Sequence, residues 1–119
     1  MVSNHVLVVD DDPGIRGMVK LALRSEGYEV ATAANGAEAL AAIDRRPPAA
    51  MLLDIRMPVL DGRQVARRLR EQGRWVPTVV MTAEEAAEQE CREIGADGCL
   101  PKPFSLDDLY EVLESVRRR

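Results

Sequence analysis

The chain carries a single histidine, His5, and only two cysteines, Cys91 and Cys99. One imidazole and two thiols outside any metal-ligand spacing cannot assemble the nitrogen–sulfur sites of zinc proteins. Free thiols in a reducing cytoplasm are expected, in preference to a Cys91–Cys99 disulfide. No apolar run approaches the roughly 18 residues that a membrane span needs. The opening Met-Val-Ser-Asn-His lacks the basic stretch and long apolar core of a secretory signal. A cytoplasmic location without a membrane partner is therefore expected. Positive charge is also in short supply: the net charge is −4, whereas a nucleic-acid-reading domain normally carries a basic face. Arg117, Arg118 and Arg119 read as a solvated helix end that suits the helix dipole.

What is present fits one ordinary globular domain, residues 1–119, with 46% hydrophobic and 30% charged residues. Short apolar runs alternate with helical patterns five times. Val6 to Val9, Ala49 to Leu53 and Thr78 to Met81 are apolar almost throughout, as in central strands of a buried sheet. Tyr28 to Ala33 alternates weakly and Cys99-Leu100 is short, so both suit sheet edges. Between them lie helical stretches. Ile15, Met18, Val19, Ala22 and Leu23 share one arc, and Asn35-Gly-Ala-Glu38 has capping chemistry ahead of Leu40 and Ile43. Asp61-Gly62 precedes Val65, Ala66 and Leu69. Glu84 to Ile94 is helical up to Gly95. Ser105-Leu-Asp-Asp108 opens a helix with Leu106, Leu109, Leu113 and Val116 on one face. The pattern predicts an α/β, flavodoxin-like (βα)5 doubly wound parallel sheet with strand order 2-1-3-4-5.

In such sheets ligands bind beyond the carboxyl ends of the strands, and the polar residues gather there. The first strand runs into Asp10-Asp11-Asp12-Pro13. Helix capping by Asp12, with Pro13 at the first helical position, explains one acid. It leaves Asp10 and Asp11 unexplained. The third strand also ends in an acid, Asp54, so three carboxylates should converge. Each like-charge pair at about 4 Å costs on the order of 4 kcal/mol at an effective dielectric near 20. A bound cation removes that cost, and an all-oxygen set favours Mg²⁺ over zinc or copper. Thr82 and Lys102 end the fourth and fifth strands, bringing a hydroxyl and a compact ammonium to the same edge. An ordinary strand-end cap would account for Thr82 alone. Together the set is equipment for phosphoryl transfer, with Asp54 as nucleophile.

The segments V-L-V-V-D-D-D, L-L-D-I-R-M-P-V-L-D-G, V-V-M-T-A and L-P-K-P-F stand in the order and spacing of one family. Over nearly its whole length the chain resembles the receiver domains of two-component response regulators. The resemblance implies that Asp54 is phosphorylated by a sensor histidine kinase or a histidine phosphotransfer protein. It implies Asp11 as direct Mg²⁺ ligand, Asp10 acting mostly through water, and the Arg56 backbone carbonyl on the metal. Thr82 becomes the switch hydroxyl and Lys102 the partner of the phosphoryl oxygens, with a cis peptide before Pro103. The family uses its fourth helix, fifth strand and fifth helix for homodimers and downstream targets.

One position departs from the pattern: Cys99 stands where many receivers have a tyrosine or phenylalanine switch. It is expected to pack simply at the sheet edge, leaving movement of the fourth helix to carry the output. That helix, Glu84 to Ile94, offers only Ala86, Ala87, Cys91 and Ile94 for burial and should dock loosely. Arg56 and Glu84 flank the site and are expected to tune phosphoryl lifetime, as an ion pair obstructing water. Gly14, Gly17 and Leu21 form a smooth face suited to a kinase helix. Two other readings compete. One is a non-phosphorylated interaction module of the same fold, which the complete acid, threonine and lysine set disfavours. The other is a small Mg²⁺-dependent phosphatase, for which no further acid or base is evident beside Asp54.

Overall fold

A computed structural model describes residues 4–117. The expectation for Arg118 and Arg119 therefore lies outside the described residues. The strands are β1 (His5–Val9), β2 (Glu29–Ala33), β3 (Ala50–Asp54), β4 (Thr78–Ala83) and β5 (Gly98–Lys102). They form one parallel sheet in the order β2-β1-β3-β4-β5. The helices are α1 (Pro13–Ser25), α2 (Gly36–Arg45), α3 (Gly62–Glu71), α4 (Ala87–Ile94) and α5 (Leu106–Arg117), with a 3-10 turn, Glu84–Ala86, ahead of α4.

Alternation along the strands divides the core. Val6 and Val8 of β1 pack with Val19 and Leu23 of α1 and with Leu109 and Leu113 of α5. Leu7 and Val9 point the other way, onto Ile43 of α2 and Val65 and Leu69 of α3. Val80 packs on that second face with Cys91 and Ile94 of α4. Central β1 and β3 are buried at every position, while β2 and β5 are only partly covered. Apolar runs buried on both sides have no other stable place than the middle of such a sandwich.

The helix ends follow the capping chemistry. Asp12 Oδ1 accepts from Gly14 N at 2.8 Å, and Pro13 begins α1. Asn35 accepts from Glu38 N at 2.9 Å, while Glu38 reaches back to Ala34 N. Asp61 and Gln64 form a reciprocal box at α3, and Ser105 Oγ accepts from Asp108 N at 3.0 Å. By contrast α4 has no side-chain cap at its start and ends on Gly95 at φ 74°, a left-handed position suited to glycine.

Three expectations need correction. Met18 and Leu106, placed on buried arcs by their spacing, are 46% and 43% exposed. Met18 lies on the rim of the cleft at the strand ends, and Leu106 is the first residue of its helix, beyond the sheet's cover. The cysteines are not free: Cys91 of α4 and Cys99 of β5 form a disulfide across a Cα–Cα distance of 6.0 Å. Because α4 packs directly on β5, the two positions meet at a separation a disulfide can bridge. Arg56 and Glu84 form no ion pair with each other among the described residues. The cis peptide between Lys102 and Pro103 is present.

Candidate functional site

Parallel register builds the site. Val9 pairs with Leu53, so Asp10 and Asp54 leave neighbouring strands side by side, about 4.8 Å apart in the sheet direction. Asp11 follows at the start of the β1–α1 turn. Carboxylate oxygens of Asp10, Asp11 and Asp54 lie within 4.8 Å of one another. Ala83 pairs with Lys102, which carries the lysine to the same edge. Its Nζ lies 3.1 Å from Asp10 Oδ2 and 3.4 Å from Asp54 Oδ1. These groups line a cleft of about 690 Å³, with Ile15, Met18, Arg56, Thr82, Ala83, Pro103 and Phe104.

Each acid is held differently. Asp10 is fully buried; its Oδ1 accepts from Asp12 N at 2.9 Å and its carbonyl from Arg16 Nη1 at 2.8 Å. Asp11 is exposed. Asp54 is 6% exposed, and burial first, then the neighbouring Asp10, push its carboxyl up to about 6 against the pull of Lys102. Lys102 is held above the ordinary lysine range: burial acts to lower it, and its bonds and charges with Asp10 and Asp54 outweigh that. One ammonium thus serves a cluster of three acids and leaves them short of positive charge. That shortage, in an all-oxygen cluster, fits a small hard dication.

The loop after Asp54 is fixed by backbone contacts. A Cβ at Gly62 would lie 2.6 Å from the Asp54 carbonyl oxygen, and Gly62 N donates to Ile55 O at 2.9 Å. Only glycine permits α3 to start this close to the strand end. His5 is buried at the opposite, amino-terminal end of β1 and has no place in the site.

All six predicted site residues, Asp10, Asp11, Asp54, Arg56, Thr82 and Lys102, line the one cleft. Thr82 departs from the expected arrangement in its partner. Its hydroxyl is buried and donates to Glu90 Oε1 of α4 at 2.8 Å. Glu90 Oε2 receives Arg63 Nη2 at 3.4 Å, and Arg63 Nη1 bonds Glu93 at 2.8 Å. Sequence reasoning overlooked Glu90, although the signal was there. Ala87, Glu90, Cys91 and Ile94 stand at i, i+3, i+4 and i+7, and all four are buried.

Five parallel strands in this order, ending in an acid triad beside a lysine, define the receiver class of signalling domain. The profile described as "Response regulator receiver domain" matches residues 6–114, and the chain belongs to that family. It is a phosphoacceptor receiver domain of two-component signalling. The chain is similar to transcriptional regulatory protein TrcR of Mycobacterium tuberculosis, at 40% identity over 97% of this chain and 46% of the relative. It is also similar to response regulator MprA of Mycobacterium bovis, at 40% identity over 99% and 52%. The chain thus spans about half the length of these curated relatives. Among solved structures, it resembles the receiver domain of sensor histidine kinase PA1611 from Pseudomonas aeruginosa. The TM-score is 0.88 and the identity 34%, covering 98% of this chain and 99% of that one; that structure has a magnesium ion coordinated in its active-site cleft.

Proposed function

We propose that Asp54 is the phosphoacceptor and that the donor is a phosphohistidine of a sensor histidine kinase or histidine phosphotransfer protein. A carboxylate oxygen of Asp54 attacks phosphorus, the P–N bond breaks, and the imidazole leaves. Asp10, Asp11, Asp54 and the Arg56 carbonyl would hold Mg²⁺, which when bound supplies positive charge to the transferred oxygens. The chain's own groups do the rest. Lys102 offsets charge on a phosphoryl oxygen, Thr82 donates a hydrogen bond to another, and the strand ends hold the nucleophile in place. The output face is α4, β5 and α5, used for a homodimer or a downstream target. The domain works in the cytoplasm, where its kinase partners present their phosphohistidines.

One observation carries this reading: the Asp54 carboxylate, made basic first by burial and then by its acid neighbours, sits 3.4 Å from the Lys102 ammonium. Intact mass after incubation with acetyl phosphate and Mg²⁺ tests it. The protein should gain one phosphoryl group that is labile to alkali, and Asp54→Asn should gain none. Labelling that survives the substitution overturns the assignment. An unlabelled wild-type chain would point to a non-phosphorylated interaction module, and steady release of phosphate to a phosphatase.

A further inference from the structure

The Thr82 hydroxyl has one proton, and it can serve one strong acceptor at a time. In this structure that acceptor is the Glu90 carboxylate at 2.8 Å, in a bond buried from solvent. Charge-assisted bonds of this kind are among the stronger ones in proteins. Thr82 also lines the cleft above Asp54, so a phosphoryl group on Asp54 would compete with Glu90 for the same proton. Glu90 is an acid on an otherwise apolar helix stripe, and its side chain is only 10% exposed. Burying it there requires compensation, which Thr82 and Arg63 provide.

We propose that Glu90 is a positioning residue that withholds the Thr82 hydroxyl from the phosphoryl site, so that phosphorylation must first release it from α4. This inference rests on the reading of Asp54 as phosphoacceptor with Thr82 as a donor to the phosphoryl oxygens. It names how that site communicates with α4. Once Thr82 turns to the phosphoryl group, the burial of Glu90 is compensated by the 3.4 Å contact with Arg63 and no longer by the hydroxyl. The geometry of α4 favours movement at its beginning. Its first turn has no side-chain cap. Its end is secured by the Cys91–Cys99 bond and by Arg70 Nη2, which donates to the Ile94 and Gly95 carbonyls at 3.2 and 2.8 Å. A carboxylate on α4 therefore performs a coupling for which β5, with Cys99, has no aromatic ring.

The test is calorimetric titration with beryllofluoride in saturating Mg²⁺, using wild type, Glu90→Gln, Glu90→Leu, Thr82→Ala and Thr82→Ala/Glu90→Leu. Leucine extends the apolar stripe and keeps α4 docked without an acceptor; glutamine keeps an uncharged acceptor. Removing the acceptor should tighten beryllofluoride binding roughly tenfold, the scale of one charge-assisted bond, with Glu90→Gln in between. In the Thr82→Ala background Glu90→Leu should change nothing. An equal gain in that background overturns the proposal, because Glu90 would then act by charge or packing alone. Unchanged or weaker binding in both Glu90 variants, with wild-type melting behaviour, overturns it too. Failure of the underlying reading looks different: wild type would not bind beryllofluoride, or Thr82→Ala alone would bind as well as wild type. Either result removes the proposal along with the reading.

Discussion

The two flanks of the cleft are built on different terms. On one side Asp10 and Asp54 extend from fully buried strands, β1 and β3, and every neighbouring position is locked by core packing. On the other side Thr82 is bound to a short helix with no cap at its start, next to an edge strand that is only half covered. The first flank concentrates unfavourable charge in a place that cannot relax. The second holds its polar groups in bonds that can be exchanged. A phosphoacceptor needs both: a fixed nucleophile, and a sensor that answers the added charge.

The largest expected effect falls on the fixed flank. Lys102→Met would leave fully buried Asp10 without its ammonium, and unpairing a buried charge costs about 3–5 kcal/mol. Urea denaturation at pH 8 should show a loss of that order, shrinking at pH 5 where Asp54, raised to about 6, can take up a proton and relieve the crowding. An undiminished midpoint at pH 8 would mean that this flank is less rigid than its packing implies.

Asp54 supplies the next effect. Its carboxyl is raised from 3.8 to about 6, so in the metal-free protein its contribution is fully present below pH 3.8 and lost as pH rises through 6. At roughly 1.4 kcal/mol per unit, the loss is about 3 kcal/mol at most. Asp54→Asn should therefore gain stability relative to wild type as pH goes from 4 to 7. Mg²⁺ should reverse that advantage at pH 7, because a cation favours the ionised acids; chelation should restore it. Parallel melting curves at all pH values would contradict the crowding.

On the exchangeable flank, reducing the Cys91–Cys99 bond opens a small loop, with an expected cost of about 2–3 kcal/mol. Hydrogen exchange should show that loss mostly in α4 and β5, sparing β1 and β3. A uniform loss across the sheet would erase the distinction between the flanks. The smallest effect is expected at Gly17, exposed on α1 with open space at its Cβ position. Gly17→Arg should raise stability by about 0.5–1 kcal/mol through helix propensity. It should also slow phosphotransfer from a kinase while leaving acetyl phosphate effective. Equal slowing with both donors would count against α1 as a docking face.

The same contrast explains what could be read from the chain alone. Strand order, helix ends and the convergence of Asp10, Asp11, Asp54 and Lys102 follow from apolar runs, capping residues and strand-end positions, which are local signals. What the chain did not disclose lies mainly beside α4. The partner of the Thr82 hydroxyl depends on a side-chain torsion with no sequence signature. Glu90 was passed over because acids are normally solvated, although its spacing placed it on the buried stripe. The disulfide was set aside on compartment grounds, which carry no information about whether two positions face each other. Met18 and Leu106 obey the helical period but sit where the sheet no longer covers the helix.

The loop from Ile55 to Asp61 is clasped at both ends by bare backbone. Gly36 N donates to Leu60 O at 3.0 Å and Gly62 N to Ile55 O at 2.9 Å. A methyl group at either glycine would fall within 2.6 Å of a carbonyl oxygen. The loop that bears Arg56 is consequently ordered during folding rather than during ion capture. On the metal reading proposed above, a dication would meet a carbonyl whose freedom has already been removed, so little entropy would stand against its capture. Enlarging either glycine would be felt as weaker ion affinity in a domain whose acids are all still in place.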